Sequence, residues 1–243
     1  CCIRSKTSFS YIEIYIGRIL KIVLVIMKTA LLFGSSGLVG GHLLNQLIKD
    51  TNYSKIKLFV RSVPEISDPK VEIIKTDFSN LQNHKEDIKG DDCFVCIGTT
   101  KKNAPDKDEY KRVELDIPKE IAKIAKSNLV NSFIFVSALY ANPKSSGDYV
   151  RFKGLVEEEL KELNFPKLGI MRPSFLIGNR KEKRVSETIG IFVFKLLSPL
   201  LLGPLKKMKP IHSEIVAKAM IAIAQSNTQQ ITFESNEISE IIN

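Results

Sequence analysis

The sequence predicts an α/β protein: a doubly wound parallel sheet with a small C-terminal helical lobe. Three observations carry this. From Lys28 onward, short apolar runs alternate with longer stretches of helical period. The runs are apolar throughout, as strands buried on both faces must be. Four glycines, Gly34, Gly37, Gly40 and Gly41, sit together between the first such run and the first helical stretch, where a chain must turn sharply.

Residues 29–33 (TALLF) read as the first strand. Residues 38–49 follow with Leu43, Leu44, Leu47 and Ile48 at helical spacing. Residues 56–60 and 71–75 are the second and third strands, and 81–88 a short helix. Residues 93–97 form the fourth strand. Residues 106–127 repeat Val113, Ile117, Ile121, Ile124 and Ala125 as one long amphipathic helix. Residues 133–136, 147–163 and 168–171 give a fifth strand, a helix and a sixth strand. Right-handed crossovers between such units wind a sheet in both directions, here over residues 27–172. After Pro173 the rhythm changes. Residues 186–202 are very apolar and broken at Pro199, 213–225 form a helix with Ser213 as N-cap, and 231–234 add a strand. Residues 173–243 therefore read as a small substrate lobe packed on the same domain, over the carboxyl edge of the sheet.

The chain has 243 residues, 44% of them hydrophobic and 26% charged, enough for one large domain and too apolar for a disordered chain. A net charge of +9 invites a polyanionic partner. A third of it sits on the first 26 residues, where Arg4, Lys6, Arg18 and Lys21 face only Glu13. The RKEKR run at 180–184 lacks interleaved aromatics and any nucleic-acid-binding motif, which excludes nucleic acid. The apolar stretch 16–33 is interrupted by Arg18, Lys21 and Lys28, unlike a spanning helix, and no small-residue cleavage site precedes Gly34. Met27 opens a natural N-terminus, MKTALLFG. Residues 1–26 read as a leader outside the fold, with a membrane anchor as the alternative. The apolar 189–202 run reads as buried core, then as a homodimer surface, then as membrane contact.

Four cysteines are too few for a disulfide scaffold. Cys93 and Cys96 form a C-x-x-C inside an apolar run rather than at a helix start, so they read as small buried side chains. No residues have the spacing of a zinc site, and no metal is expected. The expected compartment is the cytosol.

Gly34, Gly37 and Gly40 form G-x-x-G-x-x-G between a strand and a helix. Such a turn brings backbone close to a pyrophosphate and aims helix N-terminal N–H groups at its charge. The signature is weak alone and strong in this position. An acidic residue about 20 positions on would hold the ribose hydroxyls of NAD. Here the text is KLFVRSV, and Arg61 offers a forked donor for a 2′-phosphate. NADP(H) is the expected cofactor, with NAD(H) possible; a solvated surface arginine is the alternative reading of Arg61.

The glycine loop, Asp77–Phe78 after the third strand, Gly98–Thr99–Thr100 after the fourth, Ser137 ending the fifth, Tyr149-x-x-x-Lys153 in the next helix and Arg172–Pro173 after the sixth occur in that order. Together they resemble the atypical or extended short-chain dehydrogenase/reductase superfamily, with its Rossmann fold. CIGTT, the YxRV of Tyr110–Val113 and YVRFKGLVEEEL resemble its branch of Tat-interacting-protein-like oxidoreductases. The resemblance spans about residues 28–225. It implies cofactor contacts from Gly34, Ser35, Ser36, Gly37, Leu38, Val39, Gly40, Arg61, Ser62, Asp77, Phe78, Gly98, Thr99, Thr100, Lys153 and Pro173.

The catalytic expectation is Tyr149, Lys153 and Ser137. Tyr149 and Lys153 are four apart and share a helix face. An ammonium and a cationic nicotinamide lower the value of a phenol, so Tyr149 would exchange a proton with the substrate oxygen as hydride moves. Lys153 would hold the nicotinamide ribose, and Ser137 would hydrogen-bond the substrate oxygen. Many relatives carry an Asn in the helix after the fourth strand. This chain has VELDIPKE there, with Glu114 and Asp116. The reading is an NADPH-dependent oxidoreductase on a small carbonyl or alcohol. The alternative is an NADP(H)-binding regulatory or scaffold protein. A sugar-nucleotide epimerase or dehydratase ranks third, because about 70 residues after Pro173 is a short substrate lobe.

Overall fold

Strands with no polar face need cover on both sides. The computed structural model, which describes residues 27–178 and 203–242, provides it. In chain order come β1 (Lys28–Phe33), α1 (Leu38–Lys49), β2 (Tyr53–Val60), β3 (Val71–Lys75) and β4 (Asp92–Val95). Then follow α2 (Lys107–Lys111), a π turn (Arg112–Asp116), α3 (Ile117–Ser127), β5 (Ser132–Val136), α4 (Asp148–Glu162) and β6 (Lys167–Arg172). The described chain ends with β7 (Leu176–Ile177), β8 (Ile211–His212), α5 (Ser213–Gln225), β9 (Thr232–Glu234) and α6 (Ser235–Glu240). Among the described residues, seven strands form one sheet in the order β3-β2-β1-β4-β5-β6-β9, all parallel. The order reverses between β1 and β4, where Phe33 pairs with Val95. A doubly wound sheet opens its ligand crevice at that switch point.

Successive residues of β1 serve opposite layers, as the strand period requires. Leu31 and Phe33 join Ile121 of α3 and Val156 of α4 on one face. Ala30 and Leu32 join Leu43 of α1 and Met220 of α5 on the other. Phe33 stacks on its register partner Phe59 at 4.2 Å between ring centroids. At the amino end of the sheet the fully buried Asp92 accepts from Lys28 Nζ at 2.9 Å and Tyr53 Oη at 2.7 Å, the partnership a buried carboxylate needs.

Several elements differ from expectation. The 106–127 helix is broken by the π turn, which places an extra residue in one turn and swings Glu114 inward to full burial. Asp106 caps α2 by accepting from the backbone N–H groups of Asp108 and Glu109. The 81–88 segment shortens to a 3₁₀ turn, Leu81–His84. His212, not Ser213, is the N-cap of α5. The buried Ser213 hydroxyl instead donates to the Ile177 carbonyl of β7. In the C-terminal portion, β9 extends the sheet beyond β6 and α5 packs in the same layer as α1. The leader at 1–26 and the apolar 189–202 run lie outside the described residues.

Gly154 on α4 lies against the 142–143 backbone. A Cβ there would sit 2.3 Å from Pro143 N and 2.4 Å from Asn142 C. Backbone cannot rotate aside as a flexible side chain can. Gly154→Ala should therefore cost roughly 2–3 kcal/mol or more in denaturant unfolding. Gly41→Ala, whose Cβ meets nothing nearer than 3.4 Å, should change stability by less than about 1 kcal/mol, because the helix propensity of alanine offsets the contact.

Candidate active site

The cleft is built by the loops that leave β1 and β4 side by side. Gly34 has φ +87, a conformation open to glycine, and its Cβ position is filled by the Cys96 carbonyl at 2.7 Å. The Gly40 Cβ position lies 2.1 Å from the Gly34 carbonyl oxygen. Both glycines are therefore required by backbone packing. Gly37 is the N-cap of α1 and brings no side chain to the helix end. The first N–H groups of that helix, on Leu38, Val39 and Gly40, have no acceptor within the helix. That end faces a cleft of about 490 Å³ lined by Gly34, Ser35, Ser36, Gly37, Gly98, Thr99 and Thr100. A glycine cradle, an uncapped helix N-terminus and this volume fit a dinucleotide pyrophosphate.

The far end of the cleft is polar. Arg61 and Ser62 line it after β2, and Asp77 and Phe78 after β3. Phe78 has φ 61, a costly conformation for an aromatic residue. It is held by Thr76, whose hydroxyl oxygen accepts from the Phe78 N–H at 3.1 Å, and by Arg112, which donates to the Phe78 carbonyl at 3.2 Å. The Ser79 N–H lowers the Asp77 carboxyl below its ordinary value. Arg112 also forks onto Glu109 at 2.7 and 3.0 Å. Those bonds, with Arg61 adding its charge, hold the Glu109 carboxyl low. Arg112 and Glu109 also line the cleft; the sequence offers Arg112 only as the arginine of YxRV, with no role attached, and Glu109 not at all. Their sign was an (i, i+3) acid–base pair preceding the YxRV valine, which reads as ordinary surface decoration.

Lys153 and Tyr149 sit on α4, with Lys153 Nζ 6.0 Å from the Tyr149 ring centroid. Tyr149 is 41% exposed and Lys153 only 2%. The ammonium does not line the cleft. It turns inward, 3.0 Å from Glu114 Oε2, and donates to the carbonyls of Ile97 at 3.3 Å and Val136 at 3.4 Å. Burial is the largest single influence and works against its charge, but Glu114 and Tyr149 together leave Lys153 above the ordinary lysine value. Glu114 Oε1 accepts from the Thr99 N–H at 2.5 Å. A Cβ on Gly98 would stand 3.4 Å from the same oxygen. Glu114 thus joins the β4 loop to the helix that bears Tyr149.

Ser137 corrects the expectation. It is 2% exposed, and its hydroxyl donates to Glu157 of α4 instead of facing a substrate. Glu157 is buried and needs donors. It takes Ser137 and a fork from Arg172, whose value its bonds raise. Arg172 also reaches Glu234 at 3.2 Å, tying β6 to β9. Pro173 is not in the cleft. Its carbonyl accepts from the Leu139 N–H at 3.2 Å and joins the loops after β5 and β6. Leu38, Val39 and Gly40 contribute helix-end backbone, with Val39 buried in the core.

Cys93 and Cys96 serve opposite faces of the sheet, and both are free thiols. Burial raises Cys93 well above its ordinary value and pushes Cys96 up to about 12. Neither is a nucleophile near neutral pH. Iodoacetamide at mildly alkaline pH should spare both in the folded chain and alkylate both after denaturation, read by peptide mass spectrometry.

Known proteins fit this geometry. The sequence profile of an NAD(P)H-binding family matches residues 34–188, and the chain belongs to that family. It therefore has a nicotinamide dinucleotide as cofactor. Its relatives include protein FMP52-1, mitochondrial, of Scheffersomyces stipitis, 30% identical over 88% of this chain and 98% of that protein. Protein HTATIP2 of Rattus norvegicus is 32% identical over 67% of this chain and 69% of that protein. Among solved structures, vestitone reductase from alfalfa is 16% identical with a TM-score of 0.59, covering 85% of this chain and 76% of that one. A UDP-N-acetylglucosamine 4-epimerase from Methanobrevibacter ruminantium has 19% identity and a TM-score of 0.60, covering 83% and 74%. At such identities these two share the fold. The mitochondrial designation, repeated for protein FMP52 of Candida glabrata, overturns the cytosolic placement.

Proposed function

We propose that this chain is an NADPH-dependent oxidoreductase that moves hydride to or from a small carbonyl or alcohol substrate, with Tyr149 as acid and base. The observation that carries the reading is the pairing on α4 of a solvent-open phenol with a buried ammonium that donates to the carbonyl of Ile97, a residue of the cleft wall. Gly34, Ser35, Ser36 and Gly37, with the first N–H groups of α1, would hold the pyrophosphate. Arg61 and Ser62 would take the 2′-phosphate, since a forked cation meets a phosphate bidentately. Asp77 and Phe78 would edge the adenine side, and Gly98, Thr99 and Thr100 the nicotinamide side. The bound cofactor supplies or accepts the hydride. Tyr149 holds the substrate oxygen and transfers the proton at its Oη. Lys153 steadies Tyr149 from behind. On the designations of its relatives, we place the protein in mitochondria.

A second reading is favoured by Ser137. With its hydroxyl committed to Glu157, the substrate oxygen lacks the donor that usually supports turnover. A cofactor-binding protein with a regulatory role would need no such donor.

Two variants separate these readings. Tyr149→Phe should lower turnover of a small aldehyde or ketone by about 100-fold or more while NADPH binding, followed by fluorescence, persists. Undiminished turnover would remove Tyr149 as the acid. Arg61→Ala should weaken NADPH binding roughly 10- to 100-fold and leave NADH binding as it was. Equal affinity of the unaltered chain for both cofactors would end the 2′-phosphate argument.

A further inference from the structure

Glu109 and Arg112 have no part in the scheme above, yet both line the cleft. With Arg61 and Asp77 they are the charged side chains of its wall. Arg112 belongs to the far end through its bond to the Phe78 carbonyl, at 3.2 Å. Glu109 is brought there by the fork that Arg112 lays on its two oxygens, at 2.7 and 3.0 Å. Two cations and two carboxylates sum to zero. A site that receives a doubly charged phosphate ordinarily offers a surplus of positive charge.

The two carboxylates differ in what they face. Asp77 is held by its own loop, where Oδ1 accepts from the Ser79 N–H at 2.8 Å, and Arg112 is a smaller influence on it. Glu109 is held by its bonds to Arg112 first, and then by the charges of Arg112 and Arg61. Attraction is mutual, so Glu109 offsets part of the field of both arginines. The neighbouring charges of α2 and the π turn do not replace it. Asp106 is committed to capping α2, and Lys111 lies 3.4 Å from Asp116 with both half-exposed. Arg112 is not used up by Glu109. A guanidinium has five N–H groups. Two go to Glu109 and one to Phe78, which leaves two for an acceptor in the cleft. A phosphate can therefore meet Arg112 with Glu109 in place, but only against the repulsion of its carboxylate.

We propose that Glu109 is a specificity-determining residue that opposes the 2′-phosphate of NADPH at Arg61 and Arg112, and so narrows the preference of this chain for NADPH over NADH. The 2′-hydroxyl of NADH is neutral and meets no such repulsion. The carboxylate thus weakens one cofactor and spares the other. Its position is unlike that of an acid at the end of β2, because Glu109 reaches the cleft from the helix after β4. The proposal rests on the reading that the far end of the cleft receives the 2′ position of the cofactor.

The test needs no turnover. Adenosine 2′,5′-bisphosphate and AMP differ only in the 2′-phosphate, and calorimetry reads the binding of each to the full chain. Glu109→Gln keeps the size of the side chain and an oxygen for Arg112 while removing the charge. It should tighten the bisphosphate roughly 5- to 20-fold and leave AMP within about twofold. NADPH and NADH, followed by nicotinamide fluorescence, should divide in the same way. Glu109→Asp keeps the charge and should stay closer to the unaltered chain than to Glu109→Gln. A bisphosphate bound no more tightly by Glu109→Gln overturns the proposal. So does an equal weakening of both ligands, which would make Glu109 a strut for Arg112 and the Phe78 turn. An equal gain in Glu109→Asp overturns it as well, since the charge would then not be the cause. Arg61→Ala keeps the two readings apart. Should it leave the bisphosphate as tightly bound as before, Arg61 is not the phosphate's partner, while a selective gain in Glu109→Gln would still set the phosphate against Glu109.

Discussion

Backbone lies directly on backbone at the switch point of the sheet, and the site depends on that contact. The loop leaving β1 passes so close to the Cys96 carbonyl, and α1 starts so close to the Gly34 carbonyl, that neither Gly34 nor Gly40 has room for a single carbon. The approach sets the entry angle of α1, and with it where the helix N-terminus points. It also sets the height of the 96–100 loop, whose Thr99 N–H then lies within reach of Glu114. Glu114 in turn fixes Lys153, and Lys153 stands behind Tyr149. A side chain at position 34 or 40 would displace the whole series, because each member is located by contact with the one before.

The fold was largely legible in the sequence because its causes are local and periodic. Uniformly apolar strands, helical repeats of Leu43, Leu44 and Leu47, and glycines between the first strand and helix leave few topologies open. The cleft was legible for the same reason, since Gly34, Gly37, Arg61, Asp77 and Gly98 lie at strand ends, which the strand assignments locate. What escaped was every feature made by two distant charges meeting in the interior. Glu114 stood out only as an acid in the helix where many relatives carry an Asn, and Glu157 lies unremarked in polar helical text, VEEEL. Nothing in composition marks a carboxylate that will find Lys153 39 positions on, or Arg172 15 positions on. Ser137 was placed at the right strand end but given the wrong direction, because its partner on α4 could not be foreseen. The π turn was hidden because the apolar repeat continues across it from Val113 to Ile117.

Asp92, Glu114 and Glu157 are all buried, and they divide by position along the strands. Asp92 lies at the amino end of the sheet, bonded to Lys28 and Tyr53, where it closes the bottom of the fold away from the cleft. Glu114 and Glu157 lie toward the carboxyl end, Glu114 on the π turn and Glu157 on α4, the helix that also bears Lys153.

That division argues against stability as the reason for the two upper pairs. Two buried charges cost several kcal/mol each to desolvate, and apolar residues of similar volume commonly serve stability as well or better. The surrounding layer of Phe135, Phe152 and Val156 is already apolar, so hydrocarbon would pack there readily. An ion pair supplies direction, which hydrocarbon cannot. Its energy falls steeply when either partner moves, so it holds a side chain at one orientation and one distance. Glu157 spends that directionality on Ser137 and Arg172, binding α4 to β6 and to β9. Glu114 spends it on Lys153 and on the loop that floors the cleft. The helix that presents Tyr149 is thereby held from both of its buried sides by charge rather than by packing alone, which keeps the phenol at a fixed place relative to the cleft.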